Sequence, residues 1–223
     1  MSHSVRLIGI TQPVIDDVPG PAELLAFCAR VSATANQFNH ETGGRLLRSL
    51  IRRKEWSPLE QVSLTMEIVT TRDIARQILR HRSFSFQEFS QRYAAVVEPP
   101  VLREARLQDT KDRQNSLPTD DETLARWWAD EQAGLAAYNA SVYQQALDRG
   151  IAKEVARAVL PEGMTPSRIF MAGSLRSWLH YVMLRADYKT QLEHRLIAED
   201  CRSILIERFP ALKDVIHESD SPE

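Results

Sequence analysis

The sequence predicts an α+β fold in a single domain spanning residues 1–223. Residues 62–69 alternate apolar and polar side chains, which is the period of a half-buried antiparallel strand. Several longer segments instead carry apolar residues at the spacing of an amphipathic helix. No linker, internal repeat or low-complexity tract divides the chain, and 43% hydrophobic content over 223 residues is enough to bury a core.

The first half of the chain predicts two strands and three helices. Pro21 suits the first position of a helix, and Asp73 suits the first turn of another, where an acid complements the helix dipole. The residues from Ser83 to Arg92 are expected to form a loop. The predicted strands cover residues 5–10 and 62–69, and the predicted helices cover 21–31, 43–56 and a segment from Thr71 to Arg80–Arg82.

The second half predicts four helices and one strand. Residues 94–118 lack periodicity and are expected to form a long surface excursion, in which the role of residues 106–117 is left open. Thr119 and Glu122 form a capping box that opens a helix ending at Gly150. The remaining helices are expected at 153–161, 174–185 and from a second box at Thr190 to Pro210, with a strand at 167–172 and a frayed tail over about 210–223.

The helix after Thr119 is longer than one small core needs. About 30 residues at 1.5 Å each span roughly 45 Å. Part of its apolar face is therefore expected to pack against another subunit, through Trp127, Trp128, Leu135, Tyr138 and Val142.

Composition and charge exclude several classes of protein. A net charge of −2 argues against coating of nucleic acid. No apolar run approaches the roughly 20 residues of a membrane span, and the N-terminus lacks the features of a secretory signal, so a cytoplasmic protein is expected. Cys28 and Cys201 are expected to be free, buried thiols. Neither a Cys-x-x-Cys nor a His-Glu-x-x-His pattern occurs, so no metal site is predicted.

Positive charge is concentrated between Arg76 and Arg82. The chain has 23 Arg and 5 Lys, which fits either bidentate recognition of phosphate or Arg-rich codon usage. Arg72, Arg76 and Arg80 are neighbours on one helix face, where the helix dipole and the carboxylates of Asp73 and Glu88 neutralise part of the charge. The loop that follows carries hydroxyls, arginines and one carboxylate, which are the groups that a nucleotide requires.

These residues resemble the signature of the flavin-dependent thymidylate synthases. Arg80-His81-Arg82 is followed after seven residues by Ser90, with Arg92 and Tyr93 just beyond. The resemblance extends along most of the chain through FCARVS, SPLE, ARQILRHR, EFSQRY, EVARAVLP, RSW and LRAD, in the order of the family.

The resemblance implies a small antiparallel sheet with several long helices, in an obligate homotetramer whose active sites form between subunits. It implies synthesis of dTMP from dUMP, with methylenetetrahydrofolate as carbon donor and NADPH reducing bound FAD. Arg185 matches the residue that helps to ionise the uracil ring. The positions that match dUMP-binding residues are Gln77, Arg80, Glu88, Ser90, Gln91, Arg92 and Arg157, and those that match FAD contacts are Ser32, Ser63, Arg80, His81, Arg82, Glu88, Ser174, Arg176 and His180.

Chemistry without a protein nucleophile agrees with these roles. Neither cysteine has a neighbouring histidine, and Ser90 lacks evident His and Asp partners, so Ser90 is interpreted as a substrate-binding hydroxyl. A guanidinium at Arg185 would stabilise negative charge on the uracil ring, and reduced flavin would supply the hydride. Positive charge from His81 and the flanking arginines is expected to favour the anionic reduced flavin.

Four positions depart from the family pattern, all on the flavin and folate side. Gln61 and Lys189 stand where the family has His, and Ser174 and His180 stand where Asn is common. Two alternatives stay open for this reason. The protein is either a related flavoenzyme that transfers a different group to carbon 5 of a uridine nucleotide, or a non-catalytic protein that binds a nucleotide or RNA.

Overall fold

The structure, a computed structural model, describes residues 3–216. One sheet has four strands in the order β1-β2-β6-β3, and a second sheet pairs β4 with β5 in antiparallel orientation. The strands are β1 (Ser4–Ile10), β2 (Ser63–Thr71), β3 (Ser85–Glu88), β4 (Arg106–Gln108), β5 (Ser116–Pro118) and β6 (Pro166–Ser174). The α-helices are α1 (Pro21–Ala29), α2 (Gly43–Arg52), α3 (Arg72–Ile78), α4 (Glu122–Asp148), α5 (Lys153–Ala156), α6 (Leu175–Arg185) and α7 (Leu192–Arg208). The predicted α+β fold with a small antiparallel sheet is confirmed.

The described chain divides into two compact units. The first unit comprises residues 3–4, 69–80 and 87–169, and the second comprises residues 5–68, 81–86 and 170–216. The single domain expected from the sequence stays a prediction.

The core of the second unit is built on the predicted strand β2. Leu64, Met66 and Ile68 are each at most 1% exposed, as the alternation indicated. Helix α6 packs against α7, and the indole Nε1 of the fully buried Trp178 donates a hydrogen bond to the carbonyl oxygen of Leu64 at 3.1 Å. The polar edge of the indole is thus satisfied inside the core.

The ring of Phe84 occupies the space beside Gly173. A Cβ atom added to Gly173 would lie 2.5 Å from Cδ1 and 2.8 Å from Cε1 of Phe84. The same ring packs edge-on against Trp178, with centroids 4.8 Å apart. Glycine at this position therefore provides room for an aromatic ring of the core.

The first unit is held together by a polar cluster around Arg103. The Nη2 atom of Arg103 donates to both carboxylate oxygens of Asp73, at 2.8 and 2.7 Å, and to Thr71 Oγ1 at 3.0 Å. Gln132 is only 2% exposed. Its Oε1 atom accepts from the main-chain N of Arg103 at 2.9 Å, and its Nε2 atom donates to the carbonyl oxygen of Arg103 at 2.8 Å. Part of the expected surface excursion is thereby fixed to α3 and α4.

The predicted loops and tail differ from the structure in three places. The expected loop from Ser83 to Arg92 contains β3, and the excursion 94–118 contains the β4–β5 hairpin. The frayed tail does not begin at residue 210, because residues 210–214 form a 3-10 helix and the side chains of Leu212 and Ile216 are buried. Residues 217–223 lie outside the described part of the chain.

Helix boundaries also differ from the predicted ones. Helix α2 ends at Arg52 instead of residue 56, and α3 ends at Ile78. Asp121, and not Thr119, caps α4, because its Oδ1 accepts from the main-chain N of Thr123 and of Leu124, both at 3.0 Å. Helix α7 begins at Leu192 without a side-chain cap. In both boxes, the helix begins two or three residues after the predicted threonine.

The predicted helix start at Ser174 and the predicted helix stop at Gly150 are confirmed. Ser174 caps α6 by accepting from the main-chain N of Ser177 at 3.3 Å. Gly150 follows α4 with φ of 81°, a conformation that favours glycine. Cys28 and Cys201 are free thiols, the first half-buried and the second buried. In residues 3–216, no helix combines the length and the apolar character that crossing a membrane requires.

Candidate active site

The residues predicted to bind dUMP, apart from Arg185, all lie in the first unit. Gln77 is on α3, and Arg80 is exposed just after it. Glu88 ends β3, and Ser90, Gln91 and Arg92 follow in a turn, in which the main-chain N of Tyr93 donates to the carbonyl oxygen of Ser90 at 3.1 Å.

Glu154 connects two of the predicted substrate arginines. Its Oε2 accepts from Arg92 Nε at 3.2 Å, and its carbonyl oxygen accepts from Arg157 Nε at 3.3 Å. Two guanidinium groups are thus held by one residue, which is a suitable arrangement for binding a phosphate. Sequence reasoning missed Glu154, because its carboxylate pairs with an arginine 62 positions away in the sequence.

Glu88 is fixed by two neighbours. Ser167 Oγ donates to its Oε1 at 2.8 Å, and Arg72 Nη1 lies 3.5 Å from the same oxygen. Arg76 forms an ion pair with Glu162, whereas Arg80, the third arginine of the helix row, is exposed. The expected neutralisation by Glu88 therefore occurs at Arg72, while Asp73 pairs with Arg103.

Gln91 differs from its neighbours because it is buried. Only 3% of Gln91 is exposed, and its Nε2 atom has no hydrogen-bond partner within the described chain. A buried amide without a partner is costly unless a ligand or water completes it. Gln91 is therefore placed to donate to a bound molecule.

The second unit contains a cavity of about 590 Å³ beside α6. It has an apolar wall and several polar groups, and two of the predicted flavin contacts, Arg176 and His180, are among its lining residues. The full lining is Trp56, Glu60, Ser83, Arg176, Ser177, His180, Met183 and Leu184.

An ion pair forms part of this cavity. Arg176 Nη1 donates to Glu60 Oε1 at 2.8 Å. Hydrogen bonds from Ser174 and from Arg176 lower the pKa of the Glu60 carboxyl group. Ser174 thus contributes to the cavity through Glu60. Ser32, Ser63 and Arg82 are exposed and lie outside the described lining.

Arg185 and His81 meet in the same unit. Arg185 Nε donates to His81 Nε2 at 3.0 Å. Burial, followed by the positive charges of Arg185 and His180, lowers the pKa of His81 to about 4. His81 is therefore neutral at physiological pH, and the expectation that it supplies positive charge to a flavin is wrong.

Buried groups surround this pair. His194 is fully buried, and its pKa is lowered to about 3, first by burial and then by the charge of Arg185. Burial raises the pKa of Tyr181 and that of Cys201. No metal-binding group of three or more His, Cys, Asp or Glu side chains occurs in residues 3–216.

The fold matches that of a solved nucleotide methylase. The crystal structure of a UMP/dUMP methylase, PolB from Streptomyces cacaoi bound with 5-Br dUMP, aligns with a TM-score of 0.78, over 99% of this chain and 97% of that chain. The same enzyme bound with 5-Br UMP aligns with a TM-score of 0.79, over 98% and 96%. At 24% and 23% sequence identity, the likeness shows a shared fold alone.

The chain belongs to the thymidylate synthase complementing protein family, whose pattern matches residues 13–211. It is 49% identical over 209 residues to a probable flavin-dependent thymidylate synthase of Paramecium bursaria Chlorella virus 1, covering 94% of this chain and 96% of the relative. It is 48% identical over 211 residues to the flavin-dependent thymidylate synthase of Synechocystis sp., covering 93% and 96%. The family resemblance predicted from the sequence is confirmed.

Proposed function

We propose that the protein is a flavin-dependent thymidylate synthase that converts dUMP to dTMP. Methylenetetrahydrofolate donates the carbon, and NADPH reduces the bound FAD. The observation that carries the proposal is the identity of 48–49%, over more than 90% of both chains, with proteins named for this activity.

The first unit supports the nucleotide half of the proposal. Arg92 and Arg157, both held by Glu154, would bind the phosphate of dUMP, and exposed Arg80 would add a third guanidinium. The unpartnered amide nitrogen of Gln91 would donate to the nucleotide. Ser90, Gln77 and Glu88 would complete the polar contacts.

The cavity in the second unit supports the flavin half. Its donor set fits the group, because Trp56, Met183 and Leu184 offer apolar surface for a ring system while Arg176 and His180 offer hydrogen-bond donors. Bound flavin would supply the hydride that reduces the transferred carbon to a methyl group. Ser32, Ser63, His81, Arg82, Ser174 and the shared residues Arg80 and Glu88 remain proposed FAD contacts.

Arg185 would act as the electrostatic group at the uracil ring. Its planar guanidinium would stabilise negative charge that develops on the ring. Neither thiol is suited to attack carbon 6, because burial raises the pKa of both Cys28 and Cys201.

Three of the four departures from the family pattern concern side chains at or near the surface. Gln61, His180 and Lys189 are exposed, and His180 lines the cavity. Gln61 forms hydrogen bonds but does not titrate, so any proton transfer by the family's histidine would need another group here. Ser174 lowers the pKa of the Glu60 carboxyl group, which lines the cavity.

The apolar face of α4 supports the proposed homotetramer with active sites between subunits. Trp127, Leu135 and Tyr138 are 54%, 53% and 68% exposed in one chain. Large apolar side chains clustered on an exposed helix are typical of protein interfaces. A cytoplasmic location and the absence of nucleic-acid partners complete the proposal.

Mass spectrometry of reaction products tests the function. Purified protein is given dUMP, methylenetetrahydrofolate and NADPH, with and without added FAD, and UMP replaces dUMP in a parallel reaction. FAD-dependent dTMP is the expected product. A different adduct would favour the flavoenzyme that transfers another group, and dUMP binding without flavin or product would favour the non-catalytic binding protein.

A further inference from the structure

Arg185 is held by a residue from a distant part of the chain. It is the last residue of α6, and its Nε donates to Nε2 of His81, 104 positions earlier, at 3.0 Å. A guanidinium bound through Nε keeps both terminal amino groups for other acceptors. The hydrogen bond therefore fixes the plane of the group without using the atoms best placed to bind a ligand.

His81 has to be neutral to accept this hydrogen bond. The arginine is always a donor, so Nε2 of the imidazole must be the acceptor and the proton must lie on Nδ1. The ring is half-buried and packs edge-on against Tyr181, with centroids 5.0 Å apart at 82°, and against His194, at 6.3 Å and 87°. Aromatic neighbours therefore fix the orientation of the acceptor.

We propose that His81 is a positioning residue that holds the guanidinium of Arg185 in the orientation needed at the uracil ring. The proposal rests on the proposed function and assigns His81 a role distinct from donating charge to the flavin. It also explains why a histidine, and not a third arginine, stands between Arg80 and Arg82: a second guanidinium would repel Arg185 instead of accepting from it.

The surroundings of His81 favour the neutral imidazole throughout the physiological range. Arg185, Tyr181 and His180 face it from α6, His194 faces it from α7, and Phe84 lies beside it on its own segment, with centroids 6.5 Å apart. The cationic neighbour and the burial both oppose protonation. His81 is therefore a constant acceptor and not a pH switch.

Two substitutions at His81 distinguish the contribution of its hydrogen-bond acceptor from that of its aromatic ring. His81→Phe keeps an aromatic ring but removes the acceptor, whereas the amide oxygen of His81→Gln reaches about as far as Nε2. We expect His81→Phe to lower kcat by roughly 10- to 100-fold, the range seen when a supporting residue is lost. His81→Gln should recover most of the loss. Because His81 is also a proposed FAD contact, kcat is expressed per bound FAD, measured by absorbance, and the dUMP Kd should stay within about twofold of wild type.

A double-mutant cycle and a spectroscopic measurement complete the test. In an Arg185→Lys background, which lacks the Nε donor, His81→Phe should change kcat by less than about twofold. The Nε–Hε signal of Arg185 in ¹⁵N-arginine NMR spectra should exchange slowly with water in wild type and in His81→Gln, and rapidly in His81→Phe.

Three results would overturn the positioning role. One is a His81→Phe variant with wild-type kcat, the second is a loss of activity that parallels a loss of FAD, and the third is an unchanged Nε–Hε signal in His81→Phe. A wild-type protein that forms no dTMP refutes the proposed function, and the NMR comparison still decides whether His81 holds Arg185.

Discussion

Arg92 and Glu154 lie 62 positions apart in the sequence, yet Nε of the first donates to Oε2 of the second at 3.2 Å. Both side chains are more than half exposed, at 58% and 53%. An ion pair this open contributes little to stability, because water and salt screen it. Its value is geometric, since the carboxylate limits where the guanidinium can point.

Glu154→Gln should therefore weaken substrate binding without unfolding the protein. The neutral amide binds Arg92 less firmly, so we expect KM for dUMP to rise about fivefold to tenfold at constant kcat, equivalent to roughly 1 kcal/mol of binding. Steady-state kinetics measure the change. Glu131→Gln, which removes an exposed carboxylate from α4, is the matched control and should leave KM unchanged. An equal effect in both variants would contradict the role of Glu154.

Arg185→Ala should abolish measurable turnover. The loss of a preorganised positive group at developing negative charge costs about 10²- to 10³-fold in rate. Arg185→Lys keeps a charge but not the planar fork, and should retain intermediate activity. Product formation and thermal unfolding are measured together. A dead enzyme with a normal Tm supports the role, whereas turnover near that of wild type would exclude it.

A protein without cysteine should remain active. Cys201 is fully buried and Cys28 is half-buried, and burial raises the pKa of both thiols. In the double variant Cys28→Ala and Cys201→Ala, kcat should stay within about threefold of wild type, while stability falls by about 1–2 kcal/mol because a buried sulfur is removed. Complete loss of dTMP synthesis in a folded variant would instead point to a thiol nucleophile.

Gln132→Leu should destabilise the first unit. The substitution removes the partners of the main-chain N and carbonyl oxygen of Arg103 at a position 2% exposed. Leaving a buried polar group unsatisfied costs about 1–3 kcal/mol, and the urea midpoint reports the change. Gln145→Ala is the control, because its bond to Ser141 is exposed and its loss should cost less than about 0.5 kcal/mol. Equal midpoints for the two variants would show that the amide contributes no stability.

Stability should fall as the solution becomes acidic. The pKa values of His81 and His194 are lowered from 6.5 to about 4 and about 3 in the folded protein. Below pH 6.5 the unfolded chain therefore binds protons at these positions that the folded chain does not, and the free energy of unfolding decreases by up to about 1.4 kcal/mol per pH unit for each histidine. His194→Phe should reduce the drop between pH 7 and pH 5. An identical drop in wild type and variant would refute the assignment to His194.

Short-range patterns predicted most of the elements. Strand β2 was predicted because alternation over 62–69 is a local signal, and the apolar residues it marked are buried. Strand β3 was missed because Ser85–Glu88 is short and lies among arginines and serines, a composition typical of a loop. The capping box predicted at Thr119 does not form, because Asp121, an equally good N-cap residue two positions later, caps α4 instead.

The site was predicted in composition but not in electrostatics. The residue types came from a motif, whereas the neutral state of His81 depends on Arg185, Tyr181 and His194, which are about 100 residues or more away in the sequence. Glu154 was missed for the same reason, because its partner Arg92 belongs to another segment. Tertiary contacts of this kind leave no periodic trace in a single sequence.

The missing side chain at Gly173 restricts how this protein diverges from its relatives. The restriction arises from space, since the ring of Phe84 fills the volume that a methyl group would need. Overpacking a core position typically costs about 1–3 kcal/mol, so a larger residue at 173 is tolerated only when residue 84 becomes smaller. Sequence changes at positions 84 and 173 are therefore coupled, and relatives with a larger side chain at one of these positions should have a smaller one at the other.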